Sequence, residues 1–132
     1  MLQFVNGEGY HLGIWYQGTL VGILDYRLNW RSRNVELGYW LDASLQGKGI
    51  VTRACRTMVQ HAFEEHKLHK IVISCAINNP RSRSVAERLG FLQEGILRQV
   101  GRLHDRYVDV VFYGLLASEW NSEAGPVDEA SL

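Results

Sequence analysis

Leu45-Gln46-Gly47-Lys48-Gly49-Ile50-Val51-Thr52-Arg53 is the stretch on which the fold turns. Ahead of it, Val35-Glu36-Leu37-Gly38-Tyr39-Trp40-Leu41 alternates like a strand. Behind it, the run from Ile50 to about His66 reads as a helix. The glycines therefore sit where a strand hands over to a helix. The first N–H groups of a helix have no intrahelical partner, and the macrodipole makes that end positive. Glycines ahead of it let the backbone approach a ligand closely, so such a turn can cradle a phosphate. Lys48 and Arg53 add positive charge beside it.

The order of residues narrows the ligand. A P-loop requires G-x-x-x-x-G-K-[ST], which is absent, and a dinucleotide fingerprint requires three spaced glycines where this loop has two. Gln46-x-x-Gly49 fits Q/R-x-x-G-x-G/A, with Val51 at the last position. Further on, Asn79-x-x-Ser82-x-x-Val85-x-x-x-x-Gly90-Phe91 fits a second pattern. Together, in this order and separated by a helix and a strand, the two motifs resemble those of the GNAT acetyltransferases. Glu36-Leu37-Gly38-Tyr39-Trp40-Leu41 and Tyr107-Val108-Asp109 are similar to the ribosomal-protein N-terminal acetyltransferase branch (the RimJ/RimL type). The resemblance covers roughly residues 10–120. It implies an α/β GNAT fold: a twisted, mostly antiparallel mixed sheet with one parallel pair and helices on both faces. Members of that branch usually carry a further strand and two helices ahead of the first hairpin read here. Those are expected to be missing, through truncation or because a partner supplies the wall.

The resemblance implies acetyl-CoA as co-substrate, bound by Gln46, Gly47, Lys48, Gly49, Ile50, Val51 and Thr52 mostly through backbone N–H groups. Tyr39, Trp40 and Leu41 would pair with the pantetheine amides and polarise the thioester carbonyl. Asn79 would hydrogen-bond the pantetheine arm, and Ser82 would stabilise or protonate the departing thiolate. A turn-forming Asn79 and a Ser82 bonded within its own helical turn are the plainer readings of these two residues.

The base is harder to place. The branch's catalytic Glu falls on Gly101, which has no side chain. His104 and Asp105, in the following turn, are nearby candidates, and Glu36, on the strand beside the acetyl site, is the alternative. Strand alternation puts Glu36, Gly38 and Trp40 on one face and Leu37, Tyr39 and Leu41 on the other. The expected reaction is transfer of an acetyl group to a primary amine. The favoured acceptor is a protein N-terminal α-amine such as that of a ribosomal protein. Acetylation of a polyamine or an aminoglycoside, and acyl-CoA binding without turnover, are the alternatives.

Bulk properties agree with one packed unit over 1–120 and a disordered tail over 121–132, which is poor in apolar residues. The chain has 132 residues, 46% hydrophobic, and a formal net charge of zero, which gives no electrostatic case for nucleic acid or an anionic membrane. No apolar run approaches the length of a transmembrane helix. Cys55 and Cys75 lack metal-ligand spacing and are expected as reduced thiols of a cytoplasmic protein. His11, His61, His66 and His69 form no metal constellation, so no metal is expected.

Tyr10–Tyr16 and Leu20–Arg27 read as a hairpin turning at Gln17-Gly18, and 28–34 as an exposed polar loop. His69–Ala76 is expected as a buried strand, Arg81–Leu89 as a helix ending at Gly90, and Phe91–Arg102 and Arg106–Leu116 as two more strands. A homodimer is expected to cover exposed strand edges.

Overall fold

The computed structural model describes residues 2–5, 9–42, 45 and 49–120, and for 2–5, 9 and 41 the backbone alone. Gln46, Gly47, Lys48 and the tail 121–132 lie outside the described residues. The strands are β1 (Leu2–Val5), β2 (Gly9–Tyr16), β3 (Thr19–Asn29), β4 (Asn34–Leu41), β5 (Lys70–Ala76), β6 (Leu92–Leu103) and β7 (Arg106–Leu116). Helix α1 (Ile50–Glu64) joins β4 to β5, and α2 (Pro80–Arg88) leads from β5 to β6. The sheet has seven strands in the order β1-β2-β3-β4-β5-β7-β6. Every neighbouring pair is antiparallel except β4 with β5, which is parallel. That is the mixed sheet expected from the sequence, with a crossover helix between the parallel strands as their direction requires.

Local chemistry explains the elements. Gln17 and Gly18 both have positive φ, 52° and 81°, which suits the two-residue turn joining β2 to β3. Leu24, Tyr26 and Leu28 on β3, Val35 and Leu37 on β4, Ile71 and Ile73 on β5, and Val111, Tyr113 and Leu115 on β7 alternate into one buried layer. Cys55, Val59, Ala62 and Phe63 of α1 and Ala86 of α2 join the same core. These α1 residues recur at helical spacing and form one apolar stripe.

Three features differ from expectation. Strand β3 runs on to Asn29 and buries Leu28 opposite Val35, so the loop is shorter than 28–34. The polar residues around Leu28 conceal a strand end whose inward side chain is apolar. Strand β1, which the sequence did not suggest, adds to the free side of β2. Both described helices lie on the face carrying Leu37, Tyr39, Ile73 and Tyr113, rather than one on each face. Tyr39 donates to the Ser82 carbonyl of α2, and Arg83 of α2 donates to the Tyr113 hydroxyl. The reason lies in the apolar stripes: both helices bury theirs against the alternate strand residues that point the same way. The opposite face is uncovered among the described residues, with Ile23 and Trp40 exposed.

At the far end of α1, the buried Tyr26 hydroxyl meets His66 Nδ1 at 2.8 Å. Tyr10 stacks on the same imidazole, while Trp30 and His61 approach its edge. Burial pulls the His66 imidazole below its ordinary value of 6.5, and His61 adds to the effect while Glu65 opposes it. The folded chain thus disfavours the protonated form relative to the unfolded chain. The stability it contributes is present above the unfolded pKa and is lost as pH falls below it. Thermal melts from about pH 8 to about pH 5 are expected to show a falling Tm, with a shallower slope in His66→Gln. An unchanged slope in that variant would remove His66 from the account.

Candidate functional site

The site is made by the end of the parallel ladder. β4 and β5 pair through Asn34↔Lys70, Val35↔Ile71, Glu36↔Val72 and Leu37↔Ile73, and there the pairing stops. Each strand continues against its other neighbour. β4 stays paired to β3 through Leu41↔Gly22, and β5 stays paired to β7 through Ala76↔Val110. Two half-sheets therefore diverge beyond Leu37 and Ile73. The β4 segment from Gly38 to Leu41 turns toward the opening an edge that has no strand partner there.

Helix starts close the top of this opening. Gly49 precedes α1 with φ 74°, a left-handed conformation that glycine adopts without strain. The first α-helical closure is from Arg53 N–H to the Gly49 carbonyl at 3.0 Å, which leaves the N–H groups of Ile50, Val51 and Thr52 at the helix mouth. Neither helix carries an acidic residue in its first turn. Asn79 caps α2: its side-chain oxygen accepts from Ser82 N–H at 3.1 Å, and Pro80 follows at the first helical position. The turn-forming reading of Asn79 therefore holds, and its side-chain NH2 group is still a donor.

These elements enclose a cleft of about 320 Å³. Among the residues expected to bind a ligand, it brings together Tyr39, Trp40, Gly49, Ile50, Val51, Thr52, Asn79 and Ser82. Leu41 continues the same strand edge. Gln46, Gly47 and Lys48 fall outside the described residues.

Arg81, Ser84, Val85 and Arg88 also line the cleft, and sequence reasoning had not assigned them to it. The spacing of Arg81, Ser84 and Arg88 on α2 puts them on one face, a signal that the N-x-x-S motif overshadowed. Two guanidiniums and two helix N-termini make the cleft suited to an anion. Tyr39 crosses its floor, donating its hydroxyl to the Ser82 carbonyl at 3.0 Å. Burial, followed by the nearby Cys55, raises its phenol well above the ordinary range, so it remains a neutral donor. Burial likewise pushes the Cys55 thiol up to about 12, which leaves it unreactive.

The candidate bases are separated. Glu36 lies on the open face at the apex of the divergence, one rung before the last. Its Oε2 accepts from Ser74 Oγ at 2.8 Å and lies 3.2 Å from an Arg27 guanidinium nitrogen. It is not part of the cleft lining. His104 sits in the exposed turn between β6 and β7 with φ 57°, and does not line the cleft either. Tyr107 is exposed, whereas Tyr113 is buried, accepting from Arg83 and donating to Glu87. Among the described residues, no three His, Cys, Asp or Glu side chains gather in a metal-binding group, and no helix is long and apolar enough to cross a membrane.

Residues 2–92 match the family described as "Acetyltransferase (GNAT) domain". The chain is 39% identical over 122 residues to the putative ribosomal N-acetyltransferase YdaF of Bacillus subtilis (strain 168), covering 92% of this chain and 67% of that one. It is 39% identical over 101 residues to the ribosomal-protein-serine acetyltransferase of Escherichia coli (strain K12), covering 76% of this chain and 56% of that one. Its structure is similar to that of Mycobacterium smegmatis RimJ in complex with CoA-disulfide, with TM-score 0.82, 28% identity, and coverage of 88% of this chain and 56% of the other. The chain thus spans between about half and two thirds of the length of these relatives.

Gly101 has no room for a carboxylate side chain. A Cβ built there would come within 2.9 Å of a Val110 methyl and 3.1 Å of a Val108 methyl. Gly101→Glu is expected to cost about 1–3 kcal/mol, read as a lower Tm, because stiff branched side chains must move. A variant as stable as the parent would show that β6 yields at this point.

Proposed function

This chain belongs to the GNAT acetyltransferases, and from that premise we propose that the cleft binds acetyl-CoA and that the chain transfers the acetyl group to a primary amine. The observation that carries the reading is the divergence of β4 and β5 beneath two helix N-termini. An unpaired strand edge suits the amides of a pantetheine arm, which can add to it as a strand would. The helix mouth at Ile50, Val51 and Thr52, with Arg81 and Arg88 beside it, suits the phosphates. Gln46, Gly47 and Lys48 belong to the same loop by the motif. Asn79 has an amide donor for the arm, and Ser82, which lines the cleft, is the residue we assign to stabilising the thiolate.

In this reading Glu36 takes one proton from the acceptor ammonium. The free amine attacks the thioester carbonyl, whose oxygen is polarised by a backbone N–H of Tyr39, Trp40 or Leu41. The new C–N bond forms, the C–S bond breaks, and the second amine proton leaves as the thiolate becomes a thiol. His104 is the rival base.

The acceptor we favour is a protein N-terminal α-amine, such as that of a ribosomal protein, following the names of the two bacterial relatives. A polyamine acceptor is supported less. Asp25, Glu36 and Glu94 each already have a basic partner, His11, Arg27 and Lys70 respectively, so these three carboxylates are engaged. The exposed apolar edge of β6, with Ile96, Leu97 and Val100, supports the expected homodimer.

Calorimetric titration with acetyl-CoA, followed by release of thiol with a panel of N-terminal peptides and small amines, tests the reading. Binding and thiol release are expected. Asn79→Ala is expected to weaken acetyl-CoA binding several-fold, having lost both a donor and a cap. Glu36→Gln is expected to keep binding and to lower kcat by about 10²-fold or more. A chain that binds but transfers nothing would leave only the binding half standing. One that does not bind would remove both.

A further inference from the structure

The residues around Glu36 are arranged more specifically than a surface ion pair requires. On the open face, Arg27 of β3 stands opposite Glu36 of β4, and Ser74 of β5 lies two residues beyond Val72, the β5 partner of Glu36. Ser74 lies one residue past the last parallel rung, Leu37↔Ile73, on the strand that is turning away. Its hydroxyl reaches back over the gap to Glu36 at 2.8 Å. Ser74 and Arg27 both meet the same oxygen, Oε2, and neither contact engages Oε1.

The Arg27 side chain is 63% exposed, so its attraction is screened and holds the carboxylate loosely. Ser74 is half-buried on a short side chain, and β5 is fixed from behind by β7. Without it, the carboxylate rotates about a soft terminal torsion. Gly38, next along the same face, adds no side chain between the carboxylate and Trp40, and its nearest neighbours are Asp25 and Arg27.

We propose that Ser74 is a positioning residue for acetyl transfer: by holding Glu36 Oε2 from across the diverging strands, it turns Oε1 toward the acceptor amine. This rests on the reading of Glu36 as the base. The hydroxyl stays bonded throughout the step. The proton passes from the acceptor nitrogen to Oε1, and nothing is transferred to Ser74 itself.

The test compares wild type, Ser74→Ala, Ser74→Thr and Glu36→Gln. Acetyl-CoA affinity is measured by calorimetry. The kcat and KM, and the pH dependence of kcat/KM, are measured with the best acceptor from the peptide and amine panel. Ser74→Ala is expected to bind acetyl-CoA as wild type does and to lose about tenfold in kcat, the effect of one hydrogen bond to a charged group. The acid limb of its profile is expected to move to higher pH, because a donor to the ionised carboxylate has gone. Ser74→Thr keeps a hydroxyl on a side chain that suits a strand, and is expected to restore both.

If Ser74→Ala matches wild type in kcat and profile while Glu36→Gln is impaired, the inference fails and the proposed function stands. Loss of affinity and rate together, with the profile unmoved, would make Ser74 structural only and also overturn it. If wild type transfers to no acceptor, or Glu36→Gln is fully active, the reading of the base fails and this inference with it.

Discussion

The site depends on where two parallel strands part. β4 and β5 are held together for four rungs, over a core in which Val35, Leu37, Ile71 and Ile73 are almost completely buried. Beyond Ile73, each is held instead by its antiparallel neighbour, β3 on one side and β7 on the other. Sheet twist rotates adjacent strands, and beyond the last shared rung each end follows its outer partner. The result is a strand edge with backbone polar groups turned toward a cleft. Such groups need partners, and an edge of this kind suits a ligand with amides of its own.

Charge then sorts what enters. The chain carries no net charge, so attraction for an anion is local. It comes from two helix mouths without acidic residues in their first turns, and from Arg81 and Arg88. The left-handed Gly49 brings backbone to the mouth of α1 with no Cβ in the way. Asn79 secures α2 while keeping a donor in the cleft. Tyr39 ties the α2 start to β4, so the walls of the cleft are hydrogen-bonded to each other as well as packed.

The two faces of the sheet have different work. The helix face is apolar and closed, and it fixes the divergence. The open face carries paired polar side chains: His11 hydrogen-bonded to Asp25, and the ion pairs Arg27 with Glu36 and Lys70 with Glu94. The Glu36 carboxylate placed there is partly exposed and still restrained, since Ser74 reaches it from across the gap.

Periodicity and motif spacing were enough to place the hairpin of β2 and β3, the strand β4, the α1 stripe, the buried β5 and the last two strands. These are local properties: residues two apart share a strand face, and residues three or four apart share a helix face. The glycine loop and the Asn79 motif likewise pointed to one ligand from neighbouring residues alone. Leu28 was misread because its polar neighbours outweighed one inward side chain, and β1 because its run is only four residues long. Arg81 and Arg88 became cleft residues only once α2 was set against the opening. The pairing of Glu36 with Ser74, 38 positions apart, was also beyond reach. Local patterning along the chain marked most of the strands and both helices, and singled out the glycine turn as a candidate anion site. Only the tertiary structure decided where β4 leaves β5 and which side chains meet across that gap, because both depend on strands paired to outer neighbours far away in the chain.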